Sequence, residues 1–230
     1  MDNIRARGED RSGTVPTLAI AWGFATVVFA GVLYTWLVED VNVGRLTRDA
    51  ADSMDGPTYL AAVANLGFAL WAIAGAAAVL GASVLRRIDP SGKTWLFMAS
   101  AGALSFVLLA DDMWLLHDRV FPQRVGIPEL AVYATYGIMT LAHLYFFRDE
   151  IMKTEYVVLL AAASIFGCAM VIDFLTNDAA GTSQKYVTED IPKFFGMSTW
   201  AAYHLRTAYY LIVRRLEAGP ERVRDVIATS

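Results

Sequence analysis

The sequence predicts an all-α membrane protein, a six-transmembrane-helix bundle with its N and C termini cytoplasmic, on three observations. The 230-residue chain is 56% apolar and only 18% charged, where soluble domains sit near 45–50% and roughly 25%. Six windows approach the roughly 20 apolar residues that a helix needs to cross about 30 Å of hydrocarbon. The basic residues fall unequally on the two sides that those windows define.

The windows run from about Thr17 to Leu37, Tyr59 to Leu85, Trp95 to Leu116, Leu130 to Phe147, Tyr156 to Leu175 and Phe194 to Val213. They divide the chain into a cytoplasmic N-terminal segment (1–16), a six-helix domain (17–213) and a cytoplasmic tail (214–230). The glycines and β-branched residues within them do not argue against helix, because lipid leaves the backbone no water to bond. Arg5, Arg7 and Arg11 precede the first window. Its apolar run of about 21 residues exceeds the 7–15 of a signal peptide, so it reads as an uncleaved anchor.

The second window carries small residues at helical spacing, Ala77 and Gly81 among them. Such spacing lets neighbouring backbones approach, and packing within this chain is the expectation. The third ends Leu109-Ala110-Asp111-Asp112-Met113-Trp114-Leu115-Leu116-His117-Asp118-Arg119. Asp111 then lies roughly 12 Å below the outer edge, with Asp118 seven residues on sharing its face. Asp112 turns about 100° away, toward the line of Ser105. The fourth window has a stripe of Tyr133, Tyr136, Thr140 and His143, and the fifth places Asp173 near its outer end. Before the sixth, Glu189 and Asp190 precede Pro192. Carboxylates followed by proline suit a helix start, so this segment is expected to be a cap. From there Lys193, Met197, Trp200, His204 and Thr207 recur on one face.

Orientation follows from the connections. One side holds Arg5, Arg7, Arg11, Arg86, Arg87, Lys93, Arg148, Lys153, Arg214, Arg215, Arg222 and Arg224. The other holds Arg45, Arg48, Arg119, Arg124, Lys185 and Lys193. Basic residues are retained inside, which makes the richer side cytoplasmic. The expected location is a cell inner (plasma) membrane, crossed several times, with the lipid bilayer as first partner and other membrane subunits as further ones. A net charge of −4 gives no basic surface for nucleic acid. Cys168 has no second cysteine with which to form an intrachain disulfide or a CxxC motif.

Ionisable groups inside hydrocarbon are costly unless paired or turned toward a cavity. Depth lets Asp111, Asp112, Asp173 and His204 converge in the outer half of the bundle. Carboxylates with one imidazole suit a divalent metal, which could activate water for hydrolysis. Metal ligands are then Asp111, Asp112, Asp173 and His204, with Asp111, Asp112 and His204 catalytic. Against this stands simple neutralisation of the aspartates by Lys193, Arg119 or hydroxyls, and equally a proton or solute pathway. His117 sits at the outer edge and His143 near the inner one. The three histidines therefore occupy three depths, and neither a three-histidine zinc centre nor a haem between His143 and His204 is expected. Retinal is not expected either, because Lys193 is at the membrane edge.

Serine, aspartate and histidine on separate helices resemble, in outline, the membrane hydrolase superfamily that includes alkaline ceramidases. That superfamily places an HxxxH pair on its last helix, where this chain reads Trp200-Ala201-Ala202-Tyr203-His204 and has one of the two. The family is not assigned on that ground. The aspartate pair lacks the second carboxylate set of prenyl-diphosphate enzymes, and Gly181-Thr182-Ser183 is expected in a loop rather than in an intramembrane protease helix. The function carried forward is a metal-dependent, membrane-embedded hydrolase using the Asp/His cluster. Its alternatives are a proton-coupled small-solute transporter and a non-catalytic accessory subunit of a larger membrane complex.

Overall fold

Among the described residues the chain is built of helices. The structure, a computed structural model, describes residues 14–44, 54–57, 59–176 and 183–218, and no strand occurs among them. The helices are α1 (Thr14–Glu39), α2 (Ala62–Ile88), α3 (Thr94–Trp114), α4 (Glu129–Phe146), the short α5 (Arg148–Ile151), α6 (Tyr156–Thr176) and α7 (Ser183–Ala218). A π-helical segment, Leu116–Val125, joins α3 to α4. Every sequence window falls on one of the long helices. By length and composition α2 and α3 are long and apolar enough to cross a membrane, and shorter apolar stretches occur at Ala25–Glu39 and Tyr156–Ala169.

Two compact units are present, Met1–Ala62 and Val63–Ser230. In the first, α1 contains Thr35, whose hydroxyl bonds back to the carbonyls of Gly31 and Val32 and so needs no partner outside its own helix. The helix stops before Asp40, which takes a positive φ of 52°.

In the second unit the small residues of α2 do what their spacing implies. Gly67, Trp71, Ala74, Gly75, Ala78, Gly81, Ala82 and Leu85 form its buried face. A Cβ at Gly81 would lie 3.1 Å from that of Ala208 on α7, and one at Gly102 on α3 would lie 3.3 Å from the carbonyl oxygen of Gly75. Backbones this close exclude side chains, which is why glycine and alanine hold the seam. The core adds Phe97, Met98, Ala101 and Leu104 from α3, Leu159 and Ala162 from α6, and Met197, Trp200, Tyr203 and Leu211 from α7.

Two expectations are corrected. The sixth window was to begin at Pro192 behind a cap of Glu189 and Asp190, yet α7 starts at Ser183 and carries Pro192 inside it. Proline keeps a helical φ and removes one backbone bond, and the packing of α7 along α6 outweighs that local loss. Asp190 is exposed, and the side chain of Glu189 lies outside the described residues. Nor does α3 continue to Asp118. It ends at Trp114, so Asp111 and Asp118 share no helical face.

Candidate functional site

The end of α3 is built by one residue in an unusual conformation. Leu115 adopts the left-handed region at φ 51° and ψ 45°, and its N–H caps the Asp111 carbonyl. The chain then turns into the π-helical segment, where Val120 N–H reaches the Leu115 carbonyl at 3.1 Å. This reversal carries His117 back over the helix it has just left. A branched side chain in the left-handed region costs roughly 1–2 kcal/mol, and Leu115 is 39% exposed, so little packing offsets it. Leu115→Gly is therefore expected to melt at or above the wild-type temperature in detergent, and Leu115→Val several degrees below it. A glycine variant melting well below wild type would show that the side chain rather than the backbone is needed here.

His117 lands on Asp111. Its backbone N–H donates to Asp111 Oδ1 at 2.9 Å, and its Nδ1 meets Oδ2 at 2.5 Å. Tyr136 of α4 donates its hydroxyl to Oδ1 at 2.8 Å. An ionised carboxylate only accepts, so Nδ1 carries the proton and Nε2 is the nitrogen left unengaged by Asp111. Both side chains are largely buried, at 6% exposure for Asp111 and 11% for His117. Burial opposes charge on His117, but the hydrogen bond and negative charge of Asp111 outweigh it. Lys193 lowers and Asp112 raises the same group, and the net result is a pKa above the usual value of 6.5.

Asp112 faces a different way. Its Oδ2 accepts from Trp71 Nε1 of α2 at 2.8 Å, and its Oδ1 from Lys193 Nζ of α7 at 2.7 Å. Three helices are thus tied through one carboxylate. Trp71 stacks on Phe166 of α6 at 5.4 Å and meets Trp200 of α7 edge-on at 6.0 Å. Trp200 in turn donates to Ser105 Oγ at 2.9 Å.

Between these groups lies a cavity of about 450 Å³. Asp111, Asp112, His117 and Lys193 give it polarity, while Leu108, Leu141, Leu144, Phe166, Trp71 and Trp200 make the remainder apolar or aromatic. Gly137 of α4 and Gly167 of α6 also border it, and a Cβ at either would meet nothing within 4 Å. Apolar walls with a few convergent polar groups are the usual form of a small-molecule site.

The expected metal ligands divide. Asp111 and Asp112 both line the cavity, the side chain of Asp173 lies outside the described residues, and His204 sits in the core. His204 is fully buried against Trp200, its ring 4.6 Å away, with Nδ1 at 2.9 Å from the Trp200 carbonyl. Its Nε2 has no hydrogen-bond partner among the described residues. His143 also stands apart, bonded to Ser100 at 2.8 Å and stacked on Phe97. Among the described residues no three His, Cys, Asp or Glu side chains gather as a metal ion would require. Sequence reasoning anticipated Lys193 as a counter-ion and placed Tyr136 on an inward stripe. It missed Trp71, and it missed His117 as the partner of Asp111. A tryptophan in an apolar window carries no mark of its donor role, and the break after Trp114 has neither glycine nor proline to announce it.

A family model described as "Domain of unknown function (DUF8692)" matches residues 20–207. No curated protein and no solved structure matches the chain.

Proposed function

We propose that this chain, which belongs to the DUF8692 family, is a multi-pass inner-membrane protein that binds a small, mainly apolar solute and carries it in step with a proton. The observation that carries the reading is the Asp111–His117 couple at the polar part of an otherwise apolar cavity. A histidine held by a carboxylate changes charge near neutral pH, and a solute beside it can exchange a proton with it. Lys193 already answers Asp112, so the change of net charge in the cavity rests on His117.

Membrane residence is supported by the apolar outer surface, which is paired with several buried polar groups. Thr94, Ser105, Asp111, His117, His143, His204 and Thr207 are buried, while Leu80, Ile138, Leu141, Phe146, Val157 and Phe195 are more than half exposed. Apolar surface on this scale suits lipid. With the bias of basic residues it supports six spans and two cytoplasmic ends. Reporter fusions at position 50 and after Ser230 are expected to lie on opposite sides, and finding both on one side would refute this topology.

The site is tested on purified protein with decanoic acid and decylamine as probes, following tryptophan fluorescence and proton release or uptake. A saturable change is expected from Trp71 and Trp200. It should vanish in Gly137→Phe, which fills the cavity from a position free of clashes. Decanoate should bind more tightly as pH falls through the raised His117 value, because the imidazolium then faces the carboxylate. Tyr133, Tyr136, Asp111, Asp112 and Lys193 border the same cavity. His117→Gln should bind without that pH dependence and without proton exchange. Saturable binding by neither probe, or the same proton exchange in His117→Gln, would sink the proposal.

A further inference from the structure

A second cluster occupies the opposite end of the bundle, where α3 begins and α7 ends. Thr94 donates its hydroxyl to Glu150 Oε2 at 2.9 Å and accepts from Arg215 Nη2 at 3.2 Å. Lys153 Nζ donates to Glu150 Oε1 at 2.8 Å, and Arg215 Nη1 lies 3.0 Å from Asp89 Oδ2. These groups border a cavity of about 260 Å³, lined by Thr94, Glu150, Lys153, Leu211, Arg214 and Arg215.

The lining holds three cations and one carboxylate. Glu150 is kept ionised: burial works against its charge, but Lys153, Thr94 and Arg215 together hold its pKa below the usual value. Asp89 answers Arg215 from beside the cavity. Arg214 is exposed and has no ion-pair partner among the described residues. Counting Asp89, one positive charge is left over. Donors are left over as well: an ammonium has three and a guanidinium five, and the bonds named above use only some of them. Several N–H groups converging on a small space, one of them fixed by a carboxylate and a threonine, match a group with several anionic oxygens.

We propose that this pocket binds a phosphate group, presented by the headgroup of an anionic phospholipid. The lipid source rests on the membrane reading above, because the bias of basic residues puts this end on the cytoplasmic side. Basic pockets between helices on that side commonly take anionic headgroups. Leu211 lines the cavity, and Tyr209 and Tyr210, exposed on the same turns of α7, supply apolar surface for the start of an acyl chain.

The experiment follows thermal unfolding of the full chain in detergent with added phosphatidylglycerol, phosphatidylcholine or inorganic phosphate. Phosphatidylglycerol is expected to raise the melting temperature and phosphatidylcholine to leave it unchanged. Arg214→Gln and Lys153→Gln should each weaken phosphatidylglycerol binding about fivefold. Arg148→Gln, a cation on the same side with a side chain 64% exposed, should not. The Arg214 side chain makes no hydrogen bond or ion pair among the described residues, so the melting temperature of Arg214→Gln without lipid should equal wild type. If inorganic phosphate alone gives the same shift, with the same two variants weakened, the phosphate site stands and its source is free anion. No shift with either phosphate-bearing probe, or an equal shift in all three variants, overturns the site. Cell fractionation reports on membrane residence separately, so loss of the site and loss of the membrane reading are told apart.

Discussion

Asp111→Ala is expected to lower stability by about 3–5 kcal/mol, a large part of what holds most domains folded. Three donors converge on this carboxylate: the His117 backbone, the His117 ring and the Tyr136 hydroxyl. Alanine leaves all three facing a space with no acceptor. Asp111→Asn should behave differently. Its amide oxygen can still accept from the His117 N–H and from Tyr136, so most of the fold survives. Its NH₂ then faces His117 Nδ1, which must accept, and the ring is driven into its neutral form with the proton on Nε2. The pH dependence carries the distinction. His117 lies above 6.5 in the folded protein, so the stability it contributes is full below 6.5 and is lost as pH rises through the folded value. Wild type should therefore weaken over that window, and Asp111→Asn should be flat across it. Asp118→Asn should change stability by less than about 0.5 kcal/mol, because that side chain is exposed. Unfolding in mixed micelles across pH 6 to 9 measures all three. An asparagine variant that keeps the wild-type slope would remove Asp111 as the cause of the His117 shift, and with it the proton-coupled reading.

Gly102→Val is expected to cost at least about 2–3 kcal/mol and to give little folded protein. A Cβ at Gly102 would stand 2.7 Å from Val79 Cγ2 and 3.3 Å from both the Gly75 carbonyl oxygen and the Val79 nitrogen. The valine tip can rotate, but the two backbone atoms can give way only if α2 and α3 separate. That separation would also pull Trp71 from Asp112 and loosen one wall of the cavity. Gly137→Ala and Gly167→Ala provide the contrast. Nothing lies within 4 Å of a Cβ there, and alanine is favoured over glycine in a helix by up to about 1 kcal/mol. Both should melt at or above wild type. Equal destabilisation at all three positions would mean that helix flexibility, rather than close approach, explains the glycines.

What the sequence determined by itself was the set of helices and their polar faces. Apolar windows, small residues on α2 and the stripes on α4 and α7 are local patterns, legible because a helix repeats every 3.6 residues. Lys193, Met197, Trp200, His204 and Thr207 do share an inward face, and Tyr133, Tyr136 and Thr140 do line one cavity. Tertiary structure decided what meets what. Lys193 and Trp71 reach Asp112 across 81 and 41 residues, a pairing no local pattern encodes. His204 is the converse: Trp200 lies four residues before it on the same helix, so their contact follows from the helical repeat. Leu115 and Pro192 show the limit most clearly. Local propensity would continue the helix through Leu115 and start one at Pro192, and the structure does neither. At Leu115 a left-handed residue brings His117 to a buried carboxylate, and at Pro192 packing on α6 carries a helix past a missing hydrogen bond. Each is a local loss, offset at Leu115 by the bonds His117 then makes to Asp111 and at Pro192 by helix packing.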